Sequence, residues 1–176
     1  MVRPLVAEAG EQVELEQVEQ VDTDDRVLRI VRRDDAVREG WLHRVAGVVC
    51  RDAQGRVLVN RRSADVPWFA GKYAPLIAGA VRPGESYAHA ASRELREELG
   101  VRASVRHLFK FICSGAVGPY WFGIHEAVLT DAVVPDSREI AWSGWLTLAE
   151  FRSAATHWPL VPDAGDAFER YLTRGE

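Results

Sequence analysis

The segment that decides the fold runs from Gly79 to Val101 and reads GAVRPGESYAHAASRELREELGV. Its second half, Tyr87–Leu99, contains no Pro or Gly and is rich in Ala, Glu, Leu and Arg, which predicts an α-helix. Ser86 is a suitable N-cap before this helix, and Gly100 suits the left-handed position that commonly ends one. The segment therefore predicts a helix with both ends defined.

Three glutamates of this helix, Glu94, Glu97 and Glu98, recur at helical spacing and fall within about 100° of arc. Apolar residues occupy a neighbouring arc that we expect to face the core, namely Ala88, Ala91, Leu95 and Leu99. The adjacent like charges repel one another, so the cluster is either a solvated helix face or a site for a hard cation. Mg²⁺ prefers oxygen ligands and usually lies between carboxylates and substrate phosphates.

The residues before the helix favour the cation site. A short apolar run ends just before Gly79, and Pro83-Gly84 is typical of a turn. The segment therefore reads as strand, loop and helix. Such a loop would bring backbone groups and Glu85 close to the carboxylate face.

The whole segment resembles the Nudix box, the signature of the Nudix hydrolases, written G-x5-E-x7-R-E-U-x-E-E-x-G-U with U apolar. Every fixed position is met, by Gly79, Glu85, Arg93, Glu94, Leu95, Glu97, Glu98, Gly100 and Val101. The resemblance implies an α/β (α+β) fold, the Nudix-type α/β/α sandwich with a mixed β-sheet. It also implies Mg²⁺-dependent hydrolysis, with Mn²⁺ as a substitute, of a pyrophosphate bond in a nucleoside diphosphate derivative or similar small organic diphosphate.

The resemblance also implies roles for individual residues. The metal ligands would be Glu94, Glu97, Glu98 and the backbone carbonyl of Gly79. Arg93 would orient a metal-binding glutamate, and Glu85 would hold the loop to the helix. A metal-bound carboxylate is a poor base, so a further carboxylate near the attacking water is expected. Glu139 lies where one branch of the family, which includes type I isopentenyl diphosphate isomerase and its hydrolase relatives, often supplies another acidic ligand or base.

Substrate-binding candidates come from the chain before the box. Trp68 and Phe69 lie in a loop and are candidates to stack on a base. Arg61 and Arg62 follow a predicted strand, and Lys72 follows the aromatic loop, so all three are candidates to bind phosphate.

Four further segments look like the Nudix branch that includes type I isopentenyl diphosphate isomerase and its hydrolase relatives: Leu42–Arg44, Asn60–Ser63, Pro67–Tyr73 and Trp145–Thr147. Those isomerases carry a cysteine just before the box glycine and a histidine just after it, where this chain has Ala78 and Ala80. Alanine neither protonates an alkene nor binds a metal, so an isomerase is disfavoured. A non-catalytic nucleotide-sensing domain is the other alternative, and the intact box argues against it.

The rest of the chain predicts a single domain over residues 16–176, after a loose N-terminal extension over residues 1–15. An N-terminal β-hairpin is expected within Val18–Arg33, and a second hairpin from Arg44–Cys50 and Arg56–Asn60. Further predicted strands are 74–80, 103–112, 120–129 and 140–146, and further predicted helices are 148–155 and 164–172. Thr147 and Glu150 form a candidate capping box.

Composition limits the partners. The 176 residues carry a net charge of −4 with scattered arginines, so no basic surface for nucleic acid is expected. The sequence has neither a membrane-spanning apolar run nor a secretory signal, so we expect a cytoplasmic protein without a membrane partner. Cys50 and Cys113 lie in apolar runs and are expected to be buried free thiols. The expected partner is a small-molecule diphosphate, and a homodimer is compatible with the sequence.

Overall fold

The structure is a computed structural model, and it describes residues 16–174. The predicted loose extension, residues 1–15, therefore lies outside the described part of the chain. The helices and strands, in chain order, are β1 (Gln17–Val21), β2 (Val27–Arg32), α1 (Arg33–Glu39), β3 (His43–Arg51), β4 (Val57–Arg62), β5 (Tyr73–Ala74), β6 (Ile77–Ala80), α2 (Tyr87–Leu99), β7 (Arg106–Gly115), β8 (Gly118–Val128), β9 (Ile140–Leu146), α3 (Leu148–Ala155) and α4 (Pro162–Arg174).

The main sheet contains seven strands and is mixed. Its path runs β5-β4-β3-β8-β7, with β6 paired to β3 and β9 paired to β4. The central pair, β3 and β8, is parallel, and the other pairs are antiparallel. β1 and β2 form a separate two-stranded sheet, which is the predicted N-terminal hairpin.

The alternation of side chains along β3 explains why the sheet has a layer of helices on each face. Val45 and Val49 point into a core cluster shared with α3 and α4. Ala46 and Val48, which alternate with them, point into a second cluster shared with α2. Since both faces are covered, β3 is apolar along most of its length. The predicted α/β/α sandwich is confirmed.

Helix α2 begins and ends where the sequence predicts. Ser86 Oγ accepts a hydrogen bond from the His89 backbone N–H at 3.2 Å, and Gly100 takes the left-handed conformation with φ of 67°. The prediction that Ala88 faces the core is wrong. Ala88 is exposed and Ala90 is buried, because the helix is rotated so that Tyr87 lies over Gly123 in β8. This rotation carries two glutamates of the helix onto its buried face.

The predicted hairpin of β3 and β4 forms only at its turn. The two strands pair at Arg51 and Val57 and at no other position in the described residues. The first half of β3 pairs instead with β6, from Val45 opposite Ala80 to Val48 opposite Ile77. The predicted strand over residues 74–80 is accordingly divided into β5, which pairs with β4, and β6, which pairs with β3. The divergence of β3 from β4 leaves room for a cavity lined by both.

The N-terminal hairpin is attached to the sheet by a partly buried ion-pair group centred on Arg44. Arg44 Nη1 donates to Glu19 at 2.8 Å and its Nε donates to Asp25 at 2.6 Å. Lys110 of β7 also pairs with Asp25.

Elsewhere in the molecule, Cys50 and Cys113 are buried free thiols, as predicted. Between residues 16 and 174 no helix has both the length and the hydropathy needed to cross a membrane.

Candidate active site

A cavity of about 770 Å³ lies against α2 and extends between the diverging strands towards α4. Its charged part, which we call the α2 end, is lined by Arg62, Arg82, Arg93, Glu94, Glu97, Glu98, Asp136, Arg138 and Glu139. The other part, which we call the α4 end, belongs mostly to the core cluster beneath α4 and is lined by His43, Val45, Leu76, Tyr120, Phe122, Val161, Asp163 and Ala164.

Two buried carboxylates lie at the α2 end. Glu94 and Glu98 are one helical turn apart and only 8% and 9% exposed. Burial raises the pKa of both carboxyl groups, and the neighbouring charge of Glu94 raises that of Glu98 further. Opposite them Gly79 makes room for Glu94, because a Cβ at position 79 would overlap its carboxylate. Two adjacent carboxylates away from water are stabilised by a cation or a proton placed between them.

Arg93 connects the loop of the box to the helix. It donates to both oxygens of Glu85, at 2.9 Å from Nε and 3.0 Å from Nη2. Nη2 also donates to the Ala80 backbone carbonyl at 2.8 Å, and Nη1 donates to Glu94 and, at 3.2 Å, to Glu97. A bidentate arginine–carboxylate pair fixes orientation as well as charge. Arg93 therefore holds Glu94 in place by hydrogen bonds at the wall of the cavity.

Glu97 differs from its two neighbours because its side chain is 42% exposed. It contacts Arg93 at 3.2 Å and Arg82 at 3.4 Å. Within residues 16–174, no three His, Cys, Asp or Glu side chains converge into a complete metal site. The three glutamates are thus on one helix face, as predicted, but only two of them share a buried environment.

Glu139 also lines the α2 end and lies just before β9. Its backbone carbonyl accepts a hydrogen bond from the Ser63 N–H at 2.8 Å, which fixes this loop to the end of β4. The charges of Glu139 and Arg62 both act on Glu98, the first raising and the second lowering its pKa, after the larger effects of burial and Glu94. Glu139 is exposed, so its carboxylate is accessible to solvent within the cavity.

The five predicted substrate-binding residues separate into two groups. Arg62, Trp68 and Phe69 line the cavity, whereas Arg61 and Lys72 do not. Arg61 is next to Arg62 on β4, and successive side chains of a strand point to opposite faces. Because Arg62 lines the cavity, Arg61 is directed away from it. Lys72 lies over the Phe69 ring instead, 5.6 Å from its centroid. One face of Trp68 is already covered by Arg33, whose guanidinium carbon lies 4.7 Å from the ring centroid.

The α4 end contains polar residues that the sequence did not predict. Asp163, in the first turn of α4, is 6% exposed and accepts a hydrogen bond from the Tyr120 hydroxyl at 2.7 Å. His43 is 1% exposed and its ring lies 5.8 Å from that of Tyr120. Aspartate is common in the first turn of a helix. The residues that flank Asp163 in the sequence form no motif that would distinguish it from a solvated aspartate.

Comparison with known proteins shows the family of this chain. The sequence profile described as the NUDIX domain matches residues 41–169. An uncharacterized Nudix hydrolase of Streptomyces coelicolor is 40% identical over 153 residues, covering 85% of this chain and 84% of that protein. A prenyl-diphosphate phosphatase of Methanosarcina mazei is 29% identical over 141 residues, covering 78% and 82%. An isopentenyl-diphosphate Delta-isomerase of Nocardia farcinica is 34% identical over 143 residues, covering 77% and 82%.

Solved structures agree with the sequence relatives. A crystal structure of a Deinococcus radiodurans protein superposes with a TM-score of 0.76 at 27% identity, covering 88% of this chain and 98% of that one. The shared fold, the matched domain and the intact box all point to the same family and to the branch that contains the isomerases. The chain therefore belongs to the Nudix family, and it is a hydrolase of that family.

Proposed function

We propose that the protein hydrolyses the pyrophosphate bond of a small organic diphosphate with the help of Mg²⁺. The observation that carries this proposal is the buried pair Glu94 and Glu98 beside Gly79 in the wall of a large cavity. Arg93 pairs with Glu94, but no cationic side chain within residues 16–174 forms a salt bridge with Glu98. Two adjacent buried carboxylates that share one arginine are costly unless they bind something positive. These carboxylates would hold a divalent cation, which would supply positive charge to the protein and to a bound diphosphate.

The donor set fits a hard divalent cation, because all of the available atoms are oxygens. Glu94 and Glu98, with Glu97 and the Gly79 carbonyl, would hold Mg²⁺, and Mn²⁺ accepts the same kinds of ligand. When bound, the cation neutralises diphosphate charge and lowers the pKa of a coordinated water. Glu97 would be the ligand with the most freedom to move, since its side chain is 42% exposed and its contacts with Arg93 and Arg82 are 3.2 Å and 3.4 Å long.

Two arginines at the α2 end have different proposed roles. Arg93 is a positioning residue, because Glu85, Glu94 and the Ala80 carbonyl use up its donors. Arg62 lines the cavity and uses its Nε on the Trp68 carbonyl at 3.0 Å, which leaves its terminal nitrogens for a substrate phosphate. Arg61 and Lys72 do not line the cavity and are not expected to contact the substrate.

Glu139 is the proposed general base. It lines the α2 end together with Glu98, is exposed, and its backbone is held by the hydrogen bond from Ser63. A carboxylate outside the metal ligands keeps the basicity that the ligands lose, so it can accept a proton from the attacking water. Trp68 and Phe69 line the same cavity and would contact the organic group of the substrate.

The isomerase alternative is not favoured, although isomerases are among the relatives. Ala78 and Ala80 stand where the isomerases carry their cysteine and histidine, and Ala80 is packed in a small apolar cluster with Val18 and Ala36. No acid is therefore present at these two positions to protonate an alkene. A non-catalytic nucleotide-sensing domain is not proposed either, because the chain is a hydrolase of the Nudix family.

The test is a substrate panel with product identification by mass spectrometry. The panel contains nucleotide sugars, dinucleoside polyphosphates, NADH, coenzyme A, nucleoside di- and triphosphates and isoprenoid diphosphates, each with Mg²⁺, with Mn²⁺ and with a chelator. We expect metal-dependent cleavage of at least one diphosphate and no isomer of isopentenyl diphosphate. Absence of turnover throughout the panel, together with no binding of either metal, would contradict the proposal.

A further inference from the structure

The α4 end of the cavity contains a buried carboxylate that the proposed chemistry does not use. Asp163 is 6% exposed, yet it lines the cavity. Its Oδ2 accepts the Tyr120 hydroxyl at 2.7 Å, and that is the one hydrogen bond made by its side chain within residues 16–174. Oδ1 is left without a partner from the described residues.

Oδ1 is in contact with the cavity. In the described chain, the fully enclosed side-chain polar atoms that lack a partner are Arg33 Nε and His125 Nε2. Asp163 Oδ1 is not among them, so it retains access to the cavity space. An acceptor that is nine-tenths buried and open only to a cavity is satisfied by whatever occupies that cavity.

The backbone around Asp163 is shaped to receive its carboxylate. Gly115, at the end of β7, lies so close that a Cβ at this position would overlap both Asp163 oxygens. Tyr120 is held on the adjacent strand, with its ring packed edge-on against Phe122 at 5.4 Å between centroids. β7, β8 and α4 therefore cooperate to place one carboxylate oxygen at the cavity surface.

The surroundings of Asp163 are otherwise apolar. Val45, Leu76, Phe122 and Val161 belong to the core cluster and also line this end of the cavity. A hydrocarbon chain bound here would strip water from Asp163 without replacing its hydrogen bonds, which is strongly unfavourable for a carboxylate. A group that carries an N–H or O–H donor would fill the same apolar space and also pair with Oδ1.

We propose that Asp163 is a specificity-determining residue, which accepts a hydrogen bond from an N–H or O–H group on the organic part of the substrate. This inference rests on the proposed function. The α4 end thereby selects diphosphates whose organic group carries a donor, such as a nitrogen heterocycle, over isoprenoid diphosphates. The prenyl-diphosphate phosphatase among the relatives does not determine the substrate class of this chain. The residues that line this cavity determine which organic groups can bind.

A purely structural role makes a different prediction. Asp163 lies in the first turn of α4, where a negative charge is favourable. If it only stabilised the helix, its removal would lower the free energy of unfolding and would affect all substrates alike. The ratio of the specificity constants for two substrate classes separates the two roles, because a structural role does not change that ratio.

The experiment measures phosphate release from the four common ribonucleoside 5′-diphosphates and from geranyl diphosphate, with Mg²⁺. The wild type is compared with Asp163→Leu, Asp163→Asn and Tyr120→Phe. Asp166→Asn is the matched control, because Asp166 is exposed on the same helix and pairs with Arg170 at 3.1 Å. Circular dichroism and denaturation confirm that each variant is folded.

We expect the wild type to prefer at least one nucleoside diphosphate over geranyl diphosphate in kcat/KM. Asp163→Leu should lower kcat/KM for that nucleotide by about 10- to 100-fold and should leave geranyl diphosphate unchanged or improved. Asp163→Asn, which keeps one acceptor oxygen, should lie between the two, and Asp166→Asn should match the wild type. A wild type that prefers geranyl diphosphate would overturn the inference, as would a folded Asp163→Leu or Asp163→Asn variant with an unchanged ratio.

A second measurement separates this inference from the proposed function. If the wild type releases phosphate from neither class, the proposed function fails for these substrates. Calorimetric binding of the four ribonucleoside 5′-monophosphates to the wild type and to Asp163→Leu then decides the inference alone. Binding that weakens by about 10-fold or more in Asp163→Leu supports it. No binding to the wild type, or equal binding to both proteins, overturns it.

Discussion

The two ends of the cavity use the same device for different purposes. At the α2 end Glu94 fits against Gly79, and at the α4 end Asp163 fits against Gly115; in both cases a Cβ on the glycine would overlap the carboxylate. Each glycine therefore makes room for a buried acidic group. The difference lies in what surrounds each carboxylate.

Several charged side chains lie together at the α2 end, whereas the α4 end has a single carboxylate in apolar surroundings. Glu94 has Glu98 beside it and accepts a hydrogen bond from Arg93. Asp163 has one neutral donor, Tyr120, in an apolar wall. A dense carboxylate group suits a multivalent cation, while a lone carboxylate suits recognition of one donor. The comparison shows that burial alone does not define the role of an acidic residue, because its neighbours decide what it can bind.

The largest effect should come from removing one member of the buried pair. Glu98→Gln should reduce kcat by roughly two to three orders of magnitude, because a neutral amide is a weak ligand for Mg²⁺. The free energy of unfolding should stay the same or rise, since one of two adjacent buried like charges is lost. Steady-state kinetics and urea denaturation measure both. Glu39→Gln, at an exposed position on α1, is the control, and near-normal turnover in Glu98→Gln would disprove the ligand assignment.

The next largest effect should come from replacing either of the two glycines with alanine. Gly79→Ala should displace the Glu94 carboxylate and reduce turnover of every substrate by about 100-fold, because a small misplacement at the chemistry is costly. Gly115→Ala should displace Asp163 and alter the preference among substrates while catalysis of a minimal diphosphate continues. Methyl diphosphate, which does not reach the α4 end, is the substrate that distinguishes them. Equal losses on methyl diphosphate would mean that the two ends are not independent.

A smaller effect is expected from Arg93→Lys. Lysine keeps the positive charge but cannot bond Glu85, Glu94 and the Ala80 carbonyl together, so Glu94 becomes less well positioned. We expect kcat to fall roughly 10- to 100-fold with little change in KM. Arg96→Lys, on the exposed side of the same helix, should behave as the wild type. A rise in KM with unchanged kcat would instead indicate that Arg93 binds substrate.

The smallest effect concerns stability and arises from the apolar character of the α4 end. Burial lowers the pKa of His43, so the folded protein keeps this histidine neutral while the unfolded chain takes up a proton near pH 6.5. Stability is therefore complete above that pH and declines as the pH falls below it. The contribution of one histidine to this slope is at most about 1.4 kcal/mol per pH unit.

Denaturation of the wild type and His43→Leu between pH 5 and pH 8 measures this slope. We expect a shallower dependence of the unfolding free energy on pH in the variant than in the wild type. His89→Leu, at an exposed position on α2, should keep the wild-type slope. Identical slopes in His43→Leu and the wild type would mean that His43 titrates alike in the folded and unfolded chains.

Elements governed by local chemistry were predictable. The bounds of α2 and α3 agree with prediction, because Ser86 and Thr147 cap them and Gly100 ends the first. The N-terminal hairpin is also where the sequence indicates it. What the sequence did not reveal is how neighbouring segments pair, so β3 and β4 were expected to form a full hairpin although β6 replaces β4 along half of β3.

The candidate site shows the same division. The three glutamates and Arg93 occur in one short segment, so their proximity follows from helical spacing alone. Helical spacing did not reveal that the helix is rotated to bury Glu94 and Glu98 and to expose Ala88. Nor did strand spacing alone decide which of Arg61 and Arg62 faces the cavity.

By itself, the sequence determined the family, the helix that carries the carboxylates and the kinds of atom offered to a metal, because these depend on residues close together in the chain. The tertiary structure alone decided which carboxylates are buried and that Asp163, Tyr120 and Gly115 meet. The physical reason is that burial and the meeting of distant segments depend on how the sheet and helices pack, and residues 115, 120 and 163 come together only when β7, β8 and α4 close around one core.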